Sequence, residues 1–511
     1  MKKNLLTLLI SLFAFSTCVF VLTACQENEP PHEHSFTNYI SNNDATYDAD
    51  GTKTATCDID GCNQTDIITD IGSKLIRSLK YTLNTDGESY SVTGIGSYID
   101  THLVIPETYN NKPVTRIGDD AFEKCLHLTS VEIPNSITSI GLRAFIDCYR
   151  LVEVVNKSTH ISLKADDYNN GYLGYYALKI YNSQDNFISS NIINDNDYLV
   201  FNIDEEKILI NYIGSETNLI LPNYITRINR CAFYKNQNLT SVIIPNSVES
   251  IGEWAFCDCS NLTNFNLNDK VKKLEYLILS NCSKLTSITI PASVTEINDR
   301  AFLYSNNLVN IKVDANNTQY KDIDGNLYSK NGTILIRYAP GKTQTEFIIP
   351  NSVTSIESYA FESCTANIRW ENNSTIREIG YYSFCDYKGT SIELPDTLIT
   401  IGYNAFMSCS NLIAITIPNS VTSIGYSAFA FCKSLTNITI PSNVLKIGGY
   451  AFRHCDNLTS IIFSDTSSWY ITENRDDFAT TINGTLIDVT NASTNATNFL
   501  SNYYNYYWYK K

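Results

Sequence analysis

Near the start of the chain, His32, His34, Cys57 and Cys62 offer two imidazoles and two thiols, a donor set that zinc takes in tetrahedral geometry. The Cys-x4-Cys spacing is at the loose end of what zinc sites use, and an exported chain meets an oxidising compartment. A Cys57–Cys62 disulfide or a pair of thiols is therefore the preferred reading, zinc is the alternative, and no metal is assigned. Three acidic strings, Asp48-x-Asp50-Gly51, Asp58-x-Asp60-Gly61 and Asp322-x-Asp324-Gly325, have the opening of a calcium loop but no distant Glu to finish one. They read as turns. The six histidines stand at 32, 34, 102, 127, 160 and 454, and none is paired by sequence with a nucleophile. No glycine-rich phosphate loop or convergent carboxylate pair is visible, so no catalytic residue and no cofactor are assigned, and the chain is expected not to be an enzyme.

Another cysteine with chemistry of its own is Cys25. Lys2 and Lys3 precede an apolar run from Leu5 to Leu22, which ends in Leu22-Thr23-Ala24-Cys25. A charged start, an apolar stretch and small residues before a processing point mark residues 1–24 as a signal peptide. The last four residues resemble the lipobox of bacterial lipoproteins. That resemblance implies that Cys25 is lipidated and becomes the mature N-terminus, attached to a membrane by its acyl chains and displayed at the cell surface. A formal charge of −16, from 53 acidic and 37 basic residues, argues against nucleic acid as a partner.

The elements that must carry any site come from a repeat. Ile117-Gly118-Asp119-Asp120-Ala121-Phe122-Glu123-Lys124-Cys125 leads into Leu128-Thr129-Ser130-Val131-Glu132-Ile133-Pro134, and Ile140-Gly141 begins it again. Gly402, Gly425 and Gly448 are 23 residues apart, as are Phe406, Phe429 and Phe452, and Cys409, Cys432 and Cys455. The Ala-Phe position recurs at 122, 145, 233, 256, 279 (a Leu), 302, 361, 384, 406, 429 and 452. In Leu-x-x-Val-x-Ile-Pro the apolar residues alternate with polar ones, which predicts a strand with one buried face, closed by the proline. The glycine after Ile is expected to supply a positive-φ turn, and Ala-Phe to fill the layer between coils. One unit cannot bury its apolar set alone, so units must stack.

These strings resemble the BspA-like leucine-rich-repeat family. The resemblance implies a β-rich leucine-rich-repeat solenoid: a parallel sheet, short helical turns on the convex side and inserted β-hairpins. It also implies a surface protein acting in adhesion and protein binding. The expected organisation is a small lipidated Cys/His segment over 25–72, a solenoid over 73–463 and a C-terminal cap over 464–511. The Phe145–Phe233 and Phe302–Phe361 spacings place insertions at about 156–219 and 314–346. Hairpins are predicted around Asn331-Gly332, and between Tyr198–Phe201 and Lys207–Tyr212.

Eight cysteines share one repeat position, where Asn236, Ser305 and Tyr387 also occur. A position that accepts Asn or Ser asks for a small polar side chain, so these cysteines are expected as buried thiols. By period two, the residues pointing out of the strands are Ser130, Glu132, Ser241, Ile243, Ser287, Thr289, Ala414, Thr416, Asn437, Thr439, Ser460 and Ile462. They are the candidate ligand-binding face for an unidentified protein or glycan. Tyr381, Tyr403 and Tyr426 are expected to form an aromatic stripe. A glycan- or nutrient-binding lipoprotein is the second function, and an aromatic-lined pocket in the insertions would favour it.

Overall fold

The computed structural model describes residues 33–42, 52–60, 62–70, 78–182, 185, 191–475 and 483–510. It divides into two units, residues 1–78 with 96–98, and residues 79–95 with 99–511. Among the described residues no helix is long and apolar enough to cross a membrane. The signal segment, Cys25 and the Asp48 string lie outside the described residues.

The first unit is a three-stranded antiparallel sheet in the order Ile40–Ser41, Thr52–Thr56, Thr65–Thr69. The second is a β-solenoid of about 16 coils with little helix. A typical coil enters on a short strand, Thr400–Ile401, which pairs parallel with Ser423–Ile424 one coil on. It continues through Ala405-Phe406 and Cys409, runs out along Ala414–Ile415, and returns through Val421. Parallel strands thus form two seams. Between them a third seam runs through the Ala-Phe segment, where the Phe406 N–H donates to Ala428 O at 2.8 Å and Phe429 N–H to Ala451 O at 2.8 Å.

The apolar set of each coil, here Leu412, Ile415, Ile417, Val421 and Ile424, faces inward beside a ladder of phenylalanines. Phe384, Phe406, Phe429 and Phe452 stack with centroids 5.2 to 5.5 Å apart. Each buried ring removes enough apolar surface to contribute about 2–3 kcal/mol, and ring pairing adds about 1 kcal/mol. Eleven Ala-Phe positions undercount the coils, because strands such as His102–Val104, Asn218–Ile220 and Glu346–Ile349 sit in coils that lack the pair.

The anchor glycines are not where positive φ falls. Most Ala-Phe coils instead have two left-handed residues, just before Ala-Phe and just before the cysteine: Asn404 and Ser408, Ser427 and Phe431, Tyr450 and His454. The glycines answer a different demand. A Cβ on Gly425 would lie 2.6 Å from the Gly402 carbonyl carbon, and one on Gly448 2.4 Å from Tyr426 N. Successive coils touch backbone to backbone there.

Both hairpins are present. Tyr198–Ile203 pairs antiparallel with Glu206–Tyr212, and Asn326–Ser329 with Ile334–Arg337. Each is extended to a three-stranded meander, by Ile192–Asp195 and by Tyr320–Ile323. The last strand of each meander is also a rung, since Ile208-Leu209 pairs parallel with Arg227–Ile228, and Ile334-Leu335 with Ser355–Ile356. Ahead of the first meander, Lys179–Tyr181 pairs parallel with Glu153–Asn156, so the chain completes another coil before it departs. Asp324 and Gly325, at φ 50° and 72°, make the turn of the second meander. At the far end Trp469, Phe499 and Trp508 are buried over Phe463. Tyr507–Lys510 pairs antiparallel with Lys446–Ile447.

Candidate functional site

The solenoid's candidate face is the outer side of the longer strands, and alternation places it. Ser287, Thr289, Ala414, Thr416, Asn437, Thr439, Ile243 and Ile462 are exposed, while Glu132, Ser241 and Ser460 are half-buried. Val242, Ile288, Ile415, Ile438 and Ile461 between them point into the core. Ser130 departs from this pattern and is only 2% exposed. Its hydroxyl lies 2.6 Å from His102 Nδ1. Its register partner on the next coil, Glu153, is fully buried, with the Asn191 N–H directed at its carboxylate. There the first meander packs over the strands through Phe201, Ile208 and Ile210, so the outer face is covered. Glu132 is tied to Lys157.

The same face holds residues that the repeat pattern did not nominate. Val104, Ile220 and Ile348 are 45%, 69% and 47% exposed. They belong to coils without the Ala-Phe pair, so only a strand alignment finds them. Ile220 is in register with Ile243. Arg369 bridges three coils, with Glu346 at 3.3 Å and Glu393 at 3.2 Å.

Two clefts border the strands. One of about 640 Å³ lies beside the first meander, lined by Leu178, Ile203, Asp204, Glu206, Ile208 and Arg227, with no aromatic side chain. The other, about 630 Å³, has a single aromatic lining residue, Trp370. Its indole N–H already donates to Glu393 O at 2.6 Å. Neither presents the open ring platform that a sugar stacks on.

Aromatic rings gather instead along the Ala-Phe side. Tyr403 packs 6.4 Å from Tyr426, which packs 5.1 Å from Tyr450, under the Arg453 guanidinium at 5.2 Å. Tyr381 packs on Tyr382 at 4.2 Å rather than on Tyr403. Tyr382 in turn stacks on Tyr359 at 4.9 Å, which Arg300 covers. A second run, Tyr149, Tyr234, Trp254 and Tyr276, follows the same side earlier in the chain. Burial pushes the Tyr382 hydroxyl up to about 12. These rings satisfy one another, though Tyr381 and Tyr403 keep 48% and 47% of their surface exposed.

In the first unit, the ring nitrogens of His34 and the thiols of Cys57 and Cys62 converge, their ligand atoms all within 4.8 Å of one another. His34 Nδ1 is 3.4 Å from Cys62 Sγ. The Cys57 thiol is pulled down to about 6, first by the Ile59 N–H, with further help from His34, Ser35 and Cys62 against opposing burial. His32 lies outside the described residues.

Several solved structures are similar to this chain. A leucine rich cell surface protein of Faecalibacterium prausnitzii is 26% identical over 77% of this chain and 95% of its own, with a TM-score of 0.42. The pneumococcal vaccine antigen PcpA is 20% identical over 76% and 86%, with a TM-score of 0.43. A leucine-rich repeat protein of Eubacterium ventriosum is 21% identical over 75% and 82%, at 0.42. No protein of curated function matches. The model of the BspA type leucine rich repeat region matches residues 56–198, 210–332 and 341–459, and so covers most of the stacked coils. With that match running over more than half of its length, the chain belongs to the BspA-type leucine-rich-repeat family.

Proposed function

We propose that this chain is a cell-surface lipoprotein, anchored through Cys25, whose exposed strand face binds a protein partner in adhesion. The observation that carries the reading is the run of outward positions through Ser287, Thr289, Ala414, Thr416, Asn437 and Thr439, open to solvent, with Lys312, Glu346, Arg369 and Glu393 exposed on the coils between them. Thr416 also lines the cleft of about 630 Å³ beside Trp370, so the face is open along the strands and hollowed at that point. The Arg369 guanidinium on this face is already held between Glu346 and Glu393, so affinity comes from many weak contacts over several coils. Tethered copies on one cell multiply that affinity without new contacts. The clefts favour a protein over a glycan, because neither offers exposed aromatic faces.

The test uses whole cells and the purified repeat region against host and neighbouring-cell proteins. Cys25→Ala is expected to release the protein from membranes. Thr289→Arg, Thr416→Arg and Thr439→Arg together are expected to abolish binding while leaving the thermal transition almost unchanged, since surface substitutions cost within about 0.5 kcal/mol each. Normal binding by that triple variant, with binding lost instead in Ile193→Arg on the first meander, would move the site to the insertion.

A further inference from the structure

We propose that His34, Cys57 and Cys62 form a binding site for a zinc-class divalent ion. Three kinds of observation lead there. The first is the donor geometry. In a tetrahedral zinc site, bonds of about 2.3 Å to sulfur and 2.05 Å to nitrogen put those atoms ~3.6 Å apart. His34 Nδ1 and Cys62 Sγ are 3.4 Å apart. All three ligand atoms fit within 4.8 Å, a small contraction from closing on one ion.

The second is the scaffold, which places an imidazole as deliberately as the thiols. Cys57 leaves the strand Thr52–Thr56 with its N–H donating to Gln64 O at 2.8 Å. The Asp58 N–H donates to Ser35 O at 2.8 Å, fixing the segment that carries His34 alongside. Ser35 and Thr37 hydroxyls then donate to the two carboxylate oxygens of Asp58, each at 3.0 Å. Three hydrogen bonds therefore hold the His34 segment against the Cys57–Cys62 loop. A disulfide needs only the two sulfurs and gives no account of the third ligand.

The third is a core too small to hold the sheet. Among the described residues of 33–78, the buried apolar side chains are Ala55, Cys57 and Cys62. Ile40 and Ile67 are 75% and 62% exposed. So little burial leaves a small sheet dependent on a staple. Because a ligand set of this kind is assembled only in the folded sheet, the free energy of metal binding becomes folding free energy. Sulfur and imidazole donors select zinc-class ions over calcium or magnesium, which require oxygen. Two thiolates with one divalent cation also leave no net charge at two buried side chains.

The experiment titrates cobalt(II) into the reduced full chain and reads the visible and near-ultraviolet bands of tetrahedral cobalt–thiolate coordination, then displaces it with zinc. One equivalent is expected. Cys57→Ser, Cys62→Ser and His34→Ala should each weaken binding at least about 100-fold, more than loss of an outer hydrogen bond does. The thermal transition of the solenoid should not move. Because those variants could disturb the small sheet, Cys57→His provides a second reading. It should keep cobalt bound with the sulfur-to-metal band reduced about twofold. His34→Ala separates the two chemistries, since a disulfide would survive it. Absence of the tetrahedral spectrum overturns the proposal, as does a spectrum unchanged in all three variants. So does a Cys57–Cys62 disulfide found by mass mapping of protein prepared with zinc present.

Discussion

Cys432 shows what its repeat position asks for. Its thiol donates to Phe406 O of the preceding coil at 3.2 Å, as Cys409, Cys455, Cys148, Cys259 and Cys282 do to their own preceding coils. Ser305 makes the same contact with Leu279 O at 2.7 Å. The position could be read from sequence because Ser and Asn replace Cys there, and a cross-link would not allow that. The anchor glycine could not. Its constraint comes from a backbone 23 residues away, while the left-handed positions are filled by residues such as Phe431, Tyr450 and His454 that carry no turn signature. Burial holds the thiols protonated: the Cys125 thiol is pushed up to about 11, those of Cys259 and Cys364 to about 12, and that of Cys432 well above its usual value. An unfolded cysteine ionises near 8.5. From about pH 8.5 toward 11–12 the unfolded chain therefore binds fewer protons than the folded one, and stability falls as pH rises. Denaturation midpoints should drop steeply between pH 8 and 10.5. They should drop less when Cys148, Cys259, Cys282, Cys432 and Cys455 are changed to Ser. A flat profile would refute the account.

Among the elements, the meanders were half legible. Asn331-Gly332 and the alternation around Asp204 marked the hairpins, because turn chemistry is local. The third strands, Ile192–Asp195 and Tyr320–Ile323, mix polar and apolar residues without period two and gave no signal. That a meander's last strand doubles as a rung depends on partners later in the chain, beyond any local pattern. The second meander is bolted down by Arg337 and Glu362, which are 3% and 1% exposed and 2.5 Å apart. Arg337 also donates to Tyr359 O at 2.6 Å, and Ser363 Oγ to Glu362 at 2.6 Å. Removing one partner leaves a buried charge alone. Arg337→Met and Glu362→Leu should each cost about 3–5 kcal/mol, and the double variant clearly less than their sum. Denaturant titration of the four proteins in that cycle measures it. Additive losses would show that the pair acts through packing alone.

At the scale of the molecule, each coil of the solenoid touches chiefly its neighbours, so stability is close to a sum over coils and interfaces. Deleting residues 403–425, one whole period, joins Gly402 to Tyr426 in register. The shortened chain should keep its circular dichroism per residue with a modestly lower melting temperature. Removing 403–420 instead should break every downstream contact and collapse the transition, and equal behaviour of the two deletions would argue against stacking by period. Direction matters as well as register. A parallel ladder ends on backbone groups that a second copy could extend, the hazard of any open edge. Here the short-strand seam is finished by three strands paired antiparallel in turn, Tyr507–Lys510, Trp469–Thr472 and Thr485–Ile487, of which the first and the outermost run against the ladder. The long-strand seam ends under the helix Ala492–Thr497, where Asn495 donates its side-chain amide to Ile461 O at 3.0 Å. Another molecule arriving at that end meets the wrong polarity on one seam and an occupied carbonyl on the other. A sequence made of near-identical, self-adhesive segments is thereby barred from growing into a fibre head to tail.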